Sequence, residues 1–147
     1  MRWALLGLLP VLLSVLLAGC SDEPKPPKDA LAAWQPDLDE PIAEMENLLQ
    51  TLNQQKHINR VAANLAVLYD AKLYQLYLQQ HAGLSGEARQ DFEQEQRQWL
   101  KKRERTAREA SDQFRSGSIA SFIGSQAFID ETRLRTETLR ARSQKNR

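Results

Sequence analysis

One cysteine, Cys20, is all the thiol chemistry that 147 residues offer. A lone thiol cannot close a disulfide within the chain, and it cannot build a cysteine-rich zinc site. Histidine is nearly as scarce, with two copies, His57 and His81. Neither belongs to a spaced pair that could grip a metal or serve a nucleophile. There is no HExxH, no GxSxG and no glycine-rich phosphate loop, so no catalytic set can be read. A basic excess is also missing. The formal net charge is +1, which leaves too few unbalanced cations to bind nucleic acid through counterion release. Nor does any stretch show the β-branched alternation that a strand needs. The absences leave an all-α protein that is not an enzyme and needs no cofactor or metal.

What is present begins at the N-terminus. After Arg2, an uncharged run from Leu5 to Gly19 is broken only by a polar Ser14. Its length is close to the ~18 residues of a membrane span, so its ending decides the reading. It closes on Leu17-Ala18-Gly19-Cys20 and passes at once into SDEPKPPKD. That ending looks like a bacterial lipobox. Residues 1–19 are read as a lipoprotein signal peptide and Cys20 as the acylated residue. Acyl chains anchor strongly because each buried CH₂ contributes ~0.8 kcal/mol. Ser21 follows the cysteine, which resembles the signal for sorting to the outer membrane with the domain facing the periplasm; the inner membrane is the other location. Residues 20–38 form a proline-rich tether, 39–143 a single helical domain and 144–147 a tail. Removing residues 1–19 also removes Arg2 and leaves 19 basic residues against 19 acidic.

The fold class follows from periodicity: a small antiparallel helical bundle of three or four helices. A first helix opens near Asp39 or Glu40, with Pro41 in its first turn and Ile42, Met45, Leu48 or Leu49, and Leu52 as its stripe. Residues 54–59 are a bend or a continuation. A second stripe runs through Ile58, Val61, Ala62, Leu65, Leu68, Tyr69, Leu73, Leu76 and Tyr77. Ser85 is the expected N-cap of a long third helix over residues 86–114. Its face is Ala88, Phe92, Trp99, Ala107, Ala110 and Phe114, with Gly117 as a left-handed C-cap. The last helix runs from Ser118 to about Arg142. Its apolar residues are Ile119, Phe122, Ile123, Ala127, Ile129, Leu134 and Leu139, and Gly124-Ser125 is a possible bend.

The stretch QEQRQWLKKRERTARE, residues 94–109, is the densest in charge. Most of it is a solvated helix face with i,i+4 partners worth ~0.2–0.5 kcal/mol each. Arg103 is different, because it follows Trp99 by one helical turn on the apolar side. An arginine there requires a carboxylate, a carbonyl or an aromatic face, or else a binding partner.

These residues carry a resemblance. Leu73, Tyr74 and Tyr77, then Gln96, Trp99, Leu100 and Arg103, then Gly117 and Ser118, then Thr132, Arg135 and Leu139 follow a shared order and spacing. Over roughly residues 70–139 the chain resembles the small helical domain of the LprI-type lysozyme inhibitors. The resemblance implies an envelope location and a helical fold. It also implies a cysteine pair joining the last two helices, but the corresponding positions here are Ala107 and Ala127. Tyr74 stands where the family has asparagine.

The leading expectation is a non-enzymatic envelope lipoprotein that binds another envelope protein in an accessory or structural role, with residues 31–60 as the docking surface. The alternative is inhibition of lysozyme or a related muralytic enzyme, by a positive side chain entering a cleft lined by two carboxylates. Candidate partner-binding residues are Trp99, Lys101, Lys102, Arg103, Arg105 and Arg135. A basic lysozyme favours an acidic inhibitor. The acidic patch Asp37, Asp39, Glu40, Glu44 and Glu46 is the local feature that would meet it.

Overall fold

A computed structural model describes residues 35–115 and 117–145, so Cys20, the signal segment and most of the tether lie outside the described residues. Four helices follow in order: α1 Asp39–Thr51, α2 Gln55–Ala82, α3 Gly86–Asp112 and α4 Ala120–Lys145. The all-α bundle expected from the periodicity is the fold observed.

Cross-links between helices fix the directions. Asp39 and Glu46 of α1 bond Lys72 and Tyr69 of α2, so α1 runs antiparallel to α2. Asn59 bonds the Ser118 carbonyl just before α4, and Gln80 bonds the Leu139 carbonyl near its end. Both pairs are 59 residues apart, so α2 and α4 run parallel. Arg103 with Thr132 and Glu95 with Arg142 make α3 antiparallel to α4. The central helix is α4, which packs along both α2 and α3; those two have no comparable backbone contact with each other.

Helix ends follow the local chemistry. At α1, the Asp39 amide donates to the Asp37 side chain at 2.9 Å, so an acid two residues before the helix meets its positive end. The break before α2 falls at residues 52–54, and 55–59 continue as helix. Ser85 occupies the N-cap position of α3 in extended backbone but makes no side-chain cap bond. The left-handed glycine is Gly86, with φ 55°, at the start of α3. Gly117 does not take that role. The helix has already ended at Asp112, with Gln113 still in right-handed helical backbone. At its far end α4 reaches Lys145, taking in residues 144 and 145 that were assigned to the tail.

Two apolar clusters sit at different levels of the bundle. Ile42, Leu65 and Ile129 join α1, α2 and α4. Leu73, Phe92 and Leu139 join α2, α3 and α4. Each such side chain contributes ~1.5–3 kcal/mol on burial. Tyr69 ties α1 to this frame: its hydroxyl donates to Glu46 at 2.5 Å. Burial, followed by that bond, pushes the phenol up to about 12.

Several expected core positions face outward. On α1 the inward residue is Leu49, and Leu48 is exposed. Ala88, Phe114, Ile119 and Leu134 are exposed too. Phe114 lies beyond the end of α3, and Ile119 lies before α4 begins. Leu134 is five residues from both Ile129 and Leu139, about 140° round the helix from each. Gly124 does not interrupt α4. A Cβ there would lie 3.2 Å from Ser111 Cβ and 3.3 Å from the Ala107 carbonyl oxygen. Glycine at this point lets α3 and α4 approach closely.

Candidate functional site

Part of the interior is polar. Gln96 and Arg103 of α3, with Thr132, Arg135 and Thr136 of α4, are all buried. Arg103 is only 7% exposed. It donates to the Asp70 carboxylate on α2 and, at 3.2 Å, to the Thr132 hydroxyl. That hydroxyl in turn donates to the Phe128 carbonyl at 2.7 Å. The Arg103 guanidinium carbon lies 3.8 Å from the Phe128 ring centroid and 4.7 Å from that of Trp99. A carboxylate, a hydroxyl and two aromatic faces offset the lost water at the guanidinium, while Arg103 Nε is buried without a hydrogen-bond partner.

Arg135 makes the companion clamp. Its Nε donates to Gln96 Oε1 at 3.0 Å, and Nη1 donates to Glu95 Oε1 at 2.6 Å. Its guanidinium carbon lies 5.8 Å from the Trp99 ring centroid. Arg142 grips the same Glu95 with two bonds, at 2.9 and 3.0 Å. The Arg142 bonds first, and Arg135 after them, hold the Glu95 carboxyl down to about 2 against the opposing effect of burial. Glu95 therefore stays ionised and stores no proton for acid–base chemistry near neutral pH. Among the described residues, no group of His, Cys, Asp and Glu is placed to hold a metal ion.

The six candidate binding residues separate into two sets. Trp99 is half-buried, and Arg103 and Arg135 have their charged ends inside the bundle. Of the two roles open to Arg103, the clamp is the one the geometry displays. Lys101, Lys102 and Arg105 are exposed on α3. Lys102 reaches Glu131 of α4 at 3.0 Å. Arg105 has only the long contact of 4.0 Å to Glu109. Lys101 has no ion pair among the described residues. The buried arginines fix the rotation of α3, and that rotation presents Lys101 and Arg105 to solvent one turn apart.

Beside this face, a cleft of about 460 Å³ opens between α2 and α3. Leu73, Tyr74, Tyr77 and Leu100 supply its apolar wall, and Asp70, Glu93 and Arg97 supply charge. Tyr77 stacks on Phe92 with ring centroids 5.0 Å apart. His81 is half-buried and bonds Glu93 at 2.8 Å, the leading cause of the lowered Glu93 pKa. Asp70, Glu95 and Arg142 were not singled out as partners from the sequence, because they lie 33, 40 and 47 residues from the groups they bind.

A family model described as "Lysozyme inhibitor LprI" matches residues 46–139. The match begins inside α1 at Glu46, not at Asp70, and so takes in the whole of α2. No curated protein and no solved structure matches the chain.

Proposed function

The chain belongs to the LprI lysozyme inhibitor family, and from that premise we propose that it is a non-enzymatic protein that binds and inhibits a lysozyme or a related muralytic enzyme. The family match over residues 46–139 carries this reading. It stands ahead of the accessory role expected first. One support for that role is that the first helix lies outside the family-like residues 70–139, and the match begins within that helix.

The contact we assign is the outer face of α3. A muralytic site of paired carboxylates is a target for a cation delivered on a rigid support. Lys101 is exposed without an ion pair among the described residues, Arg105 stands one turn away, and the buried Arg103 between them anchors the helix. Asp37, Glu40 and Glu44 on and before α1 are exposed and supply the long-range attraction for a basic enzyme. Cys20, acylated, would hold this domain at the envelope through the tether. Among the described residues no helix is long and apolar enough to cross a membrane. The anchor reading is abandoned if a Cys20→Ser chain still takes up labelled lipid.

The test is titration of the fragment starting at Ser21 against several lysozymes, following binding and the rate of cell-wall lysis. Inhibition at micromolar concentration or below is expected, weakened at least ~10-fold by Lys101→Glu with Arg105→Glu. Absence of binding throughout that range refutes the proposal.

A further inference from the structure

The outward face of α2 carries an apolar seam with no assigned role. Val67, Tyr74 and Leu78 are 68%, 60% and 42% exposed, and half-buried Ala71 lies between them. The spacings are four, three and four residues, the a/d pattern of a coiled-coil contact. On the α3 side of the cleft, Leu100 is 40% exposed and extends the same apolar surface. None of these residues belongs to the buried part of either core cluster.

We propose that this seam is where a second copy of the chain docks, with the two α2 helices antiparallel about a two-fold axis.

Charge selects this occupant. From Val61 to Gln80, α2 holds only two charged residues, Asp70 and Lys72. Both are engaged within their own chain, by Arg103 and Asp39. A two-fold contact sets each residue against its own kind or its mirror position, so any charge on the seam risks meeting a like charge. This seam has none to oppose. The exposed face of α3 differs, with Arg97, Lys101, Glu104, Arg105 and Arg108. The whole chain has a formal net charge of +1, so two copies have little long-range repulsion to overcome.

Size selects the orientation. In the antiparallel arrangement Ala71 faces Tyr74 of the second copy, and Val67 faces Leu78, so each layer pairs a smaller side chain with a larger one. A parallel arrangement would set Tyr74 against Tyr74 and Ala71 against Ala71, crowding one layer and leaving space in the next.

Sedimentation equilibrium on the fragment from Ser21 tests this from about 1 to 500 µM. The expected result is a reversible monomer–dimer equilibrium within that range. Val67→Lys and Leu78→Glu, each alone, should raise the dimer Kd at least ~10-fold, since each buries an unpaired charge against an apolar side chain of the second copy. The chain carrying both should recover the dimer, because each lysine then faces a glutamate across the antiparallel seam. Circular dichroism keeps the comparison to folded variants, and both positions are exposed in the single chain. A monomeric wild type overturns the proposal, and so does a double variant no better than the singles. A monomer whose lysozyme binding is lost in Val67→Lys would assign the seam to the enzyme, which also overturns it.

Discussion

At the scale of single residues, two arginines decide how this interior is held. Arg103 and Asp70 form a pair with unequal surroundings: the arginine side chain is 8% exposed and the aspartate 49%. Removing the arginine leaves a carboxylate that water can reach. Removing the aspartate leaves a buried cation with one hydroxyl and two rings. The two substitutions should therefore differ although they break the same bond. Arg103→Met is expected to cost about 1–2 kcal/mol, chiefly through lost cation–π contact. Asp70→Ala is expected to cost about 2–4 kcal/mol, because an uncompensated buried charge is the larger penalty. Urea denaturation of both variants measures the order, and an Arg103→Met chain as stable as wild type would remove the clamp. Arginine is required for its shape as well as its charge. A lysine ammonium offers no plane to lay over Phe128 and no fork to reach Asp70 and Thr132 together.

At the scale of helices, legibility depended on which residues face inward. α2 was read well because its buried positions, Val61, Ala62, Leu65 and Leu73, are apolar and recur at helical spacing. α4 was read only in part. Its buried face is Ile129, Thr132, Arg135, Thr136 and Leu139, more than half of it polar, so an apolar count drew in Leu134, which points to water. The family resemblance had marked Thr132 and Arg135, but it could not supply Asp70 or Glu95 as their neighbours. That pairing depends on helix register, which one chain's periodicity does not contain. Ala107 and Ala127 belong to this scale as well. Gly124 approaches the Ala107 carbonyl closely, and Ala127 is the next residue on the same face of α4. Restoring cysteines as Ala107→Cys with Ala127→Cys should therefore close a disulfide under oxidising conditions. The expected gain is ~2–4 kcal/mol, read as a rise in melting temperature that reductant reverses. Free thiols persisting after oxidation would show that positions 107 and 127 do not meet across α3 and α4.

At the scale of the molecule, α2 and α4 each pass through both apolar clusters, with Leu65 and Ile129 in one and Leu73 and Leu139 in the other. Neither cluster can be lost without disturbing the helices that frame the other. One calorimetric transition is expected, with van't Hoff and calorimetric enthalpies equal; two separated transitions would contradict this packing. Acid should shift that transition in a defined window. Glu95 has its folded pKa depressed from 4.5 to about 2, so its contribution is complete above the unfolded value. The contribution is lost as pH falls from about 4.5 towards 2, and the melting temperature should fall with it. In Glu95→Gln that part of the decline should disappear. The polar layer has a further consequence for how the chain finds its alignment. Apolar ridges tolerate a slide of one helical turn, about 5.4 Å, at modest cost. If α4 slid by a turn, Arg135 would leave Gln96, Arg142 would leave Glu95 and Thr132 would leave Arg103, all in a single movement. The layer thus works as a vernier on helix alignment. Replacing all of it with leucine would favour a tighter core that admits several neighbouring alignments.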